Sequence, residues 1–403
     1  MAESTHTANP SRKVLALFAG LALLGFGTFV VQVAGDQPGR AWQAYLINFL
    51  LWSAVAQGGL LFSVVMHLTK ARWSRAMQSL AEAFAAFFPL SLLLFLILYF
   101  GRRYLFPWLR GEVHGLEGWL NLPFLFSRDL VGLLLLYGLG LAYTFYALRL
   151  RVVAGSDGGL RAWVRRGWTG TEAERGRCRC RMTVLSVLYV LAYSLVLTLL
   201  AFDLLMSMEP PWYSTLFGAY AFAKAFYLGL LALTVVASVY YLVRGQESGL
   251  APSHFHDLGK LLFAFCLVWA DFFYVQLLVI WYGNVSEETS YLIKRVMLLP
   301  WQPVAWAVFL MGFVIPFLTL LNKRVKERPL VMIPLCTFIV IGLWLEHLLL
   351  VGPALNPGLA TLPVGPGDAL ITVGFLGLMA FSVILFLRTF PELVPGPARE
   401  LHQ

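Results

Sequence analysis

The chain has 403 residues, of which 59% are hydrophobic and 13% are charged, and its mean hydropathy is +0.75. A typical soluble domain carries about 25% charged residues, so this composition excludes an ordinary soluble protein. It predicts an all-α integral membrane protein with several spans. The formal net charge is +9. In a membrane protein a basic excess is first a signal of topology, so nucleic acid is not expected as a partner.

Ten apolar stretches are each long enough to cross a bilayer, which takes about 20 residues in a helix. They cover residues 14–33, 44–66, 84–100, 129–148, 182–202, 215–242, 257–282, 305–321, 330–350 and 368–387. Outside these spans, 21 Lys and Arg residues fall on the side of the N-terminus and 7 on the other side. The positive-inside rule therefore places both termini in the cytoplasm.

Ligands for a redox cofactor are scarce in this sequence. The four cysteines are scattered and show neither a CxxCH motif nor the spacing of an iron–sulfur or zinc site. Only His67, His256 and His347 lie in or beside spans, and no span carries two of them, which argues against a haem held by paired histidines. We therefore expect neither a metal or cluster held by cysteines nor a haem held by paired histidines in this chain.

The seventh span, 257–282, carries Lys260 and Asp271 in an otherwise apolar helix. An ionisable group in a span costs about 2.5 to 3.5 kcal/mol and usually faces a bundle interior, a water-filled cavity or a charged partner. Lys260 and Asp271 are 11 residues apart, close to three turns, so they share a helix face. Tyr274 extends this row outward and His256 extends it inward. The row favours a proton half-channel; the alternative is that Lys260 snorkels to the interface and Asp271 bonds a neighbouring helix.

A second buried charge, Lys224, lies in the sixth span at about the depth of Asp271. We expect the two side chains to pair across adjacent helices, either as a structural ion pair or as a proton switch. Other ionisable groups are expected to meet at the outer end of the bundle. These groups are Arg128, Asp129, Asp203, Glu209, Glu346 and His347.

Two of these positions carry a more specific expectation. Glu346 and His347 are adjacent, and adjacent residues on a helix point about 100° apart, so only one of them is expected to face inward. Asp129 begins the fourth predicted span, where a carboxylate would favour the helix dipole. On the other side of the membrane, the loop 149–181 holds nine arginines, which predicts contact with lipid headgroups in preference to an acidic partner.

Four stretches give a resemblance to a known family. They are HFHDLGKLLFAFCLVWADFF, VIWYGNVSEET, MSMEPPWYSTLFGAY and HLTKARWSRAMQSLAEAF. From the second to the ninth span the chain resembles the ActF-type membrane subunits of alternative complex III, a bacterial quinol:electron-acceptor oxidoreductase whose membrane chains ActC and ActF are akin to NrfD and PsrC. The resemblance implies two four-helix bundles with the first and tenth helices peripheral. The corresponding segments are 1–33, 34–214, 215–367 and 368–403.

The resemblance also implies partners. Iron–sulfur clusters and c-type haems would belong to other subunits: an ActC-like membrane subunit, an iron–sulfur or molybdopterin-like subunit and c-type cytochromes, with a terminal oxidase as a further partner. The complex would lie in the bacterial inner membrane. In this family, oxidation of quinol, including menaquinol, is assigned chiefly to the ActC chain. Quinone contact, proton conduction and scaffolding are therefore all open roles for an ActF-type chain.

Two positions depart from the family pattern. Asp271 stands where an aromatic residue is expected, and Pro211 stands where a His is usual. The chain therefore gains an acid inside a span and loses a proton acceptor near the outer surface. Two other functions fit the same composition: a stand-alone secondary transporter, which should show broken helices in the middle of the membrane, and a purely structural assembly subunit.

Overall fold

The structure, a computed structural model, describes residues 12–71, 73–111, 116–152 and 159–395. In this part of the chain, ten helices are long and apolar enough to cross a membrane. They confirm the predicted all-α membrane fold. The helices are α1 (Arg12–Ala34), α2 (Pro38–Leu68), α3 (Arg75–Leu105), α4 (Leu122–Arg151), α5 (Glu172–Met208), α6 (Leu216–Arg244), α7 (Pro252–Gly283), α8 (Gln302–Leu321), α9 (Pro329–Leu355) and α10 (Pro366–Thr389).

The helices pack in two groups that meet along α2, α5 and α6. In the first group α2 packs against α3 and α5, and α4 packs against α5; in the second group α6 packs against α7 and α9, and α8 packs against α9. The first helix lies outside both groups and packs mainly against α10, which in turn contacts α2. Consecutive spans alternate in direction. We call the end where α1 begins the proximal end and the end where α2 begins the distal end.

The two groups are joined by a backbone contact between α2 and α6. A Cβ atom added to Gly58 would lie 1.9 Å from the carbonyl oxygen of Ala225, and one added to Gly229 would lie 2.1 Å from the carbonyl carbon of Gly58. Neither contact is possible for a real Cβ atom, so both positions need glycine. Small residues at such crossings let membrane helices approach closely and gain dispersion energy, since burial from lipid gives little hydrophobic gain.

The eighth helix contains a π-helical turn over Leu310–Val314 but continues on both sides of it. The turn faces α7. The thiol of Cys266 lies 3.6 Å from the carbonyl oxygen of Gly312, and a Cβ atom at Gly312 would collide with the indole of Trp269 at 2.7 Å. Single π turns of this kind occur frequently at functional sites. Here the turn brings the α8 backbone against the part of α7 described next.

The contact at Gly229 gives a direct test of the packing. Gly229→Ala should lower the free energy of unfolding by about 1 to 3 kcal/mol, because the added methyl group meets backbone that no rotamer change can move. Gly138→Ala in α4 is the matched control, since nothing lies within 4 Å of a Cβ atom there. Thermal melting in detergent, followed by circular dichroism, measures both variants. Equal melting temperatures would contradict the close approach of α2 and α6.

Candidate functional site

A buried ion pair joins α6 to α9 in the distal half of the second group. Lys224 Nζ lies 2.9 Å from Glu346 Oε1, and both side chains are almost fully buried. The hydroxyl of Tyr220 donates a hydrogen bond to the same oxygen, and the indole N–H of Trp269 donates to Glu346 Oε2 at 3.3 Å. Both carboxylate oxygens therefore have donors. We call Lys224, Glu346, Tyr220 and Trp269 the Glu346 centre.

Helical spacing on α6 supports this centre. Tyr220 and Lys224 are four residues apart and so lie on the same face one turn apart. The ammonium group of Lys224 also lies 5.0 Å from the centroid of the Tyr220 ring, a distance at which an aromatic face attracts a cation. An ion pair away from water is maintained only with good geometry and additional hydrogen bonds. Tyr220 and Trp269 supply those bonds to Glu346.

The predicted pair between Lys224 and Asp271 is wrong. Lys224 binds Glu346, while Asp271 is exposed and has neither an ion-pair nor a hydrogen-bond partner among the described residues. The reason lies in the register of α7. Trp269 faces Glu346, and a residue two positions further along a helix points about 200° away from it. Similar depth in the membrane was therefore not enough to predict the pair, because the rotation of α7 turns Asp271 away from α6.

The row predicted along α7 lies on this same outward side. Tyr274 is 58% exposed, and Lys260 extends into the surroundings at the proximal end, where it pairs with Asp257 at 3.0 Å. His256 is half-buried beside them. The row does not line the interior of this chain, and Lys260 follows the snorkelling alternative. Asp271 follows neither alternative, since it bonds no neighbouring helix in the described part of the chain.

An apolar groove of about 530 Å³ lies between α7 and α8. Its volume is within the range of sites for small molecules, about 300 to 1,000 Å³. The side chains that define it include Trp269, Asp271, Tyr274, Trp306, Phe309 and Phe313. Trp269 belongs to both features: its ring lines the groove and its N–H binds Glu346. Any occupant of the groove would therefore contact Trp269, whose indole N–H binds the buried ion pair.

A polar face of α6 continues from Lys224 towards the proximal end. Tyr227, Thr234 and Ser238 are all buried. Together with Tyr220 and Lys224 they follow the helical repeat over 18 residues, which is roughly 27 Å along the axis. The hydroxyl groups of Tyr227 and Ser238 have no hydrogen-bond partner within the described residues. We call these five residues the α6 polar face. Their helical spacing is visible in the sequence.

The distal end of the second group is closed by a cluster around Glu209. Arg295 pairs with Glu209 at 3.0 Å, and Lys294 lies 3.7 Å from the same carboxylate. Arg295 also lies 3.6 Å from the centroid of the Tyr291 ring, which stacks on Trp212 at 3.7 Å. Tyr291 lies on the short helix Ser286–Val296, outside the spans. Burial raises the pKa of Tyr291 to about 12, so this phenol is neutral at physiological pH.

The outer groups do not form the single cluster that the sequence suggested. Asp203 pairs with Arg128 at 2.5 Å in the first group of helices, whereas Glu209 belongs to the cluster with Arg295.

The expectation for the ninth span is also wrong, because Glu346 and His347 are both buried. The ninth helix packs against α2 as well as α6, so it has two buried sides. His347 Nδ1 lies 2.8 Å from the carbonyl oxygen of Leu343, so this ring nitrogen contacts the backbone of its own helix.

A further buried charge at the proximal end was not anticipated. Glu82 is fully buried at the start of α3 and forms an ion pair with Arg151 at the end of α4. Ser63 donates to Glu82 at 3.1 Å, and the hydroxyl of Tyr143 lies 3.1 Å from Ser63. Glu82 falls in a segment that hydropathy leaves outside the third span. The helix nevertheless begins at Arg75, so α3 includes Glu82, and the carboxylate is buried.

Comparison of the chain with protein-family models and with curated protein sequences finds no match in either. In the described ranges, no group of three or more His, Cys, Asp or Glu side chains is arranged to hold a metal ion. The Glu346 centre itself consists of ionisable and hydroxyl groups. These groups can bind, orient and pass protons.

The ion pair of the Glu346 centre can be tested by a double-mutant cycle. Lys224→Met should destabilise the protein by about 3 to 5 kcal/mol, because it leaves a buried carboxylate without its cation. Adding Glu346→Gln should restore much of this loss, since the amide keeps an acceptor oxygen but carries no charge. Lys260→Met is the control, because its ion pair is exposed and contributes little. The pair has no energetic role if Lys224→Met melts like Lys260→Met.

Proposed function

We propose that this chain is an integral membrane subunit of a bacterial respiratory quinol:electron-acceptor oxidoreductase of the alternative complex III type, and that its second group of helices conducts protons. The four sequence stretches quoted above support the complex, and the ten spans agree with a subunit of this kind. In this proposal the haems and iron–sulfur clusters belong to partner subunits. Both termini lie in the cytoplasm, as the distribution of Lys and Arg favours.

The observation that carries the proton role is the Glu346 centre. Ionisable groups inside membrane spans commonly mark proton or ion pathways when they face a bundle interior. Lys224 and Glu346 face that interior, and each can gain or lose a proton. When Glu346 accepts a proton, the charge on Lys224 loses its counter-ion, so Lys224 is driven to release a proton in turn. The protonation state of one group thereby controls the protonation state of the other.

The surrounding hydroxyl groups supply a route in this proposal. On the proximal side, the α6 polar face continues from Lys224 to Ser238. On the distal side, Tyr220 binds Glu346, and the Glu209 cluster lies beyond it at the surface. Hydroxyl groups can donate and accept a proton at the same time, as can water between them. The route thus runs along α6 and replaces the row on α7 that the sequence suggested.

The groove beside Trp269 provides the link to the rest of the complex. Asp271 would cost about 2.5 to 3.5 kcal/mol if it faced lipid, so its exposure supports the presence of a donor from outside this chain. The ActC-like membrane subunit is the partner we propose on this side. A quinone or menaquinone ring held at the same interface would also lie beside Trp269. Either occupant would reach the Glu346 centre through the indole N–H, which binds Glu346 at 3.3 Å.

The proposal predicts what accompanies this chain when it is purified. Extraction from native membranes in mild detergent should yield a complex with c-type haem in its absorption spectrum and with iron–sulfur proteins among its subunits by mass spectrometry. The chain should fractionate with the inner membrane. A colourless chain that purifies alone and remains active in a transport assay would contradict the proposal and favour the secondary transporter. A coloured complex that pumps equally well without the Glu346 carboxylate would leave only the scaffolding role.

A further inference from the structure

Asp129 is a buried acid without a donor. It is 0% exposed, and no donor in the described part of the chain reaches either of its carboxylate oxygens. The helix-dipole role predicted for it is wrong. The fourth helix begins at Leu122 and is capped by Asn121, whose side chain accepts from the N–H of Phe124. Asp129 therefore lies two turns inside α4, beyond the range of the helix terminus.

The group that faces Asp129 is a second acid, Asp203 from α5. Arg128, the residue before Asp129 on α4, binds the Asp203 carboxylate, so the two acids lie beside the same turn of α4. Their carboxyl groups interact with each other there. Asp203 is fully buried as well, and its oxygens already have donors: Arg128 binds them at 2.5 and 2.6 Å, and the indole N–H of Trp119 binds at 3.1 Å. Arg128 is the one cation described in contact with the pair, and its N–H groups are used by Asp203 and by the carbonyl oxygen of Trp119.

This arrangement cannot hold two ionised carboxylates. Two negative charges would face each other with a single guanidinium beside them, and one of the carboxylates would lack any donor. A buried ionised carboxylate without a donor costs several kcal/mol, and a second like charge nearby raises that cost further. A proton on Asp129 removes both penalties, because the neutral acid can donate a hydrogen bond to Asp203. Aspartate pairs that share one proton follow this logic in general.

We propose that Asp129 and Asp203 form a proton-binding site that holds one shared proton at the distal end of the first group of helices. Arg128 and Trp119 cover the site. The guanidinium of Arg128 lies 3.8 Å from the centroid of the Trp119 ring, and Trp119 itself is 45% exposed. Movement of these two side chains would open the pair to the distal surface. Occupancy by a proton is a property of this chain alone; its use in proton release rests on the proposed function.

The test is infrared spectroscopy on the protein purified from native membranes, with the aspartate carboxyl carbons labelled with carbon-13. The wild-type protein should show the carbonyl stretch of a protonated carboxylic acid, and this band should move both with the label and with exchange into heavy water. Asp129→Asn should remove the band. Asp203→Asn should shift it but keep it, because Asp129 remains buried and its charged carboxylate acceptor is replaced by a weaker, neutral amide oxygen. Asp368→Asn is the matched control: Asp368 is also buried, but Arg40 binds it at 2.6 Å, so the band should not change.

Two results would overturn the proposal. One is a wild-type spectrum without a label-sensitive band of a protonated acid, which decides the matter even if Asp129→Asn does not fold. The other is a band that survives Asp129→Asn unchanged, which would place the proton elsewhere. Neither result depends on haem, on turnover or on partner subunits. Failure of this site is therefore distinguishable from failure of the proposed function.

Discussion

The ion pair between Lys224 and Glu346 constrains the whole second group of helices. Opposite charges removed from water must be brought together and hydrogen-bonded, because each alone would cost several kcal/mol. The sixth and ninth helices are therefore held in one rotational setting by the pair, and α7 is held by the N–H of Trp269. Once Trp269 faces inward, Asp271 must face outward into the groove. A single buried interaction thus determines which surface this chain offers to others.

The buried charges at the distal ends of the two groups of helices differ in balance. In the second group, one cation faces one anion, so the Glu346 centre is neutral overall with both residues ionised. In the first group, Arg128 faces both Asp203 and Asp129, which leaves an excess of one acid. A balanced pair responds to a proton by releasing another. An unbalanced cluster instead retains a proton to become neutral. In the roles proposed above, the same few residue types therefore exchange protons in the second group and store a proton in the first.

Hydropathy predicted the ten spans because about 20 apolar residues are a sufficient criterion for a membrane helix. It also identified Lys224, Asp271, Asp203 and Glu346 as residues of interest. It did not predict which of them pair, since sequence gives the depth of a residue in a helix but leaves the rotation of that helix free. The α6 polar face was accessible in principle, because its members repeat at helical spacing. The burial of Glu82 could not be predicted from the sequence, because it depends on how α3 packs against α2 and α4.

The most direct test of the account is the number of protons translocated per electron by the complex carrying Glu346→Gln, reconstituted in sealed vesicles. Glutamine has the size of glutamate and keeps one acceptor oxygen, but it cannot take up a proton. Because it leaves Lys224 without a counter-ion and replaces one of the two acceptor oxygens, the ratio is measured on complex that has been shown to be fully assembled. Electron transfer from quinol to acceptor should continue, while the proton-to-electron ratio should fall to the value of scalar release by quinol oxidation alone. An unchanged ratio in a fully assembled variant would contradict a proton path through Glu346.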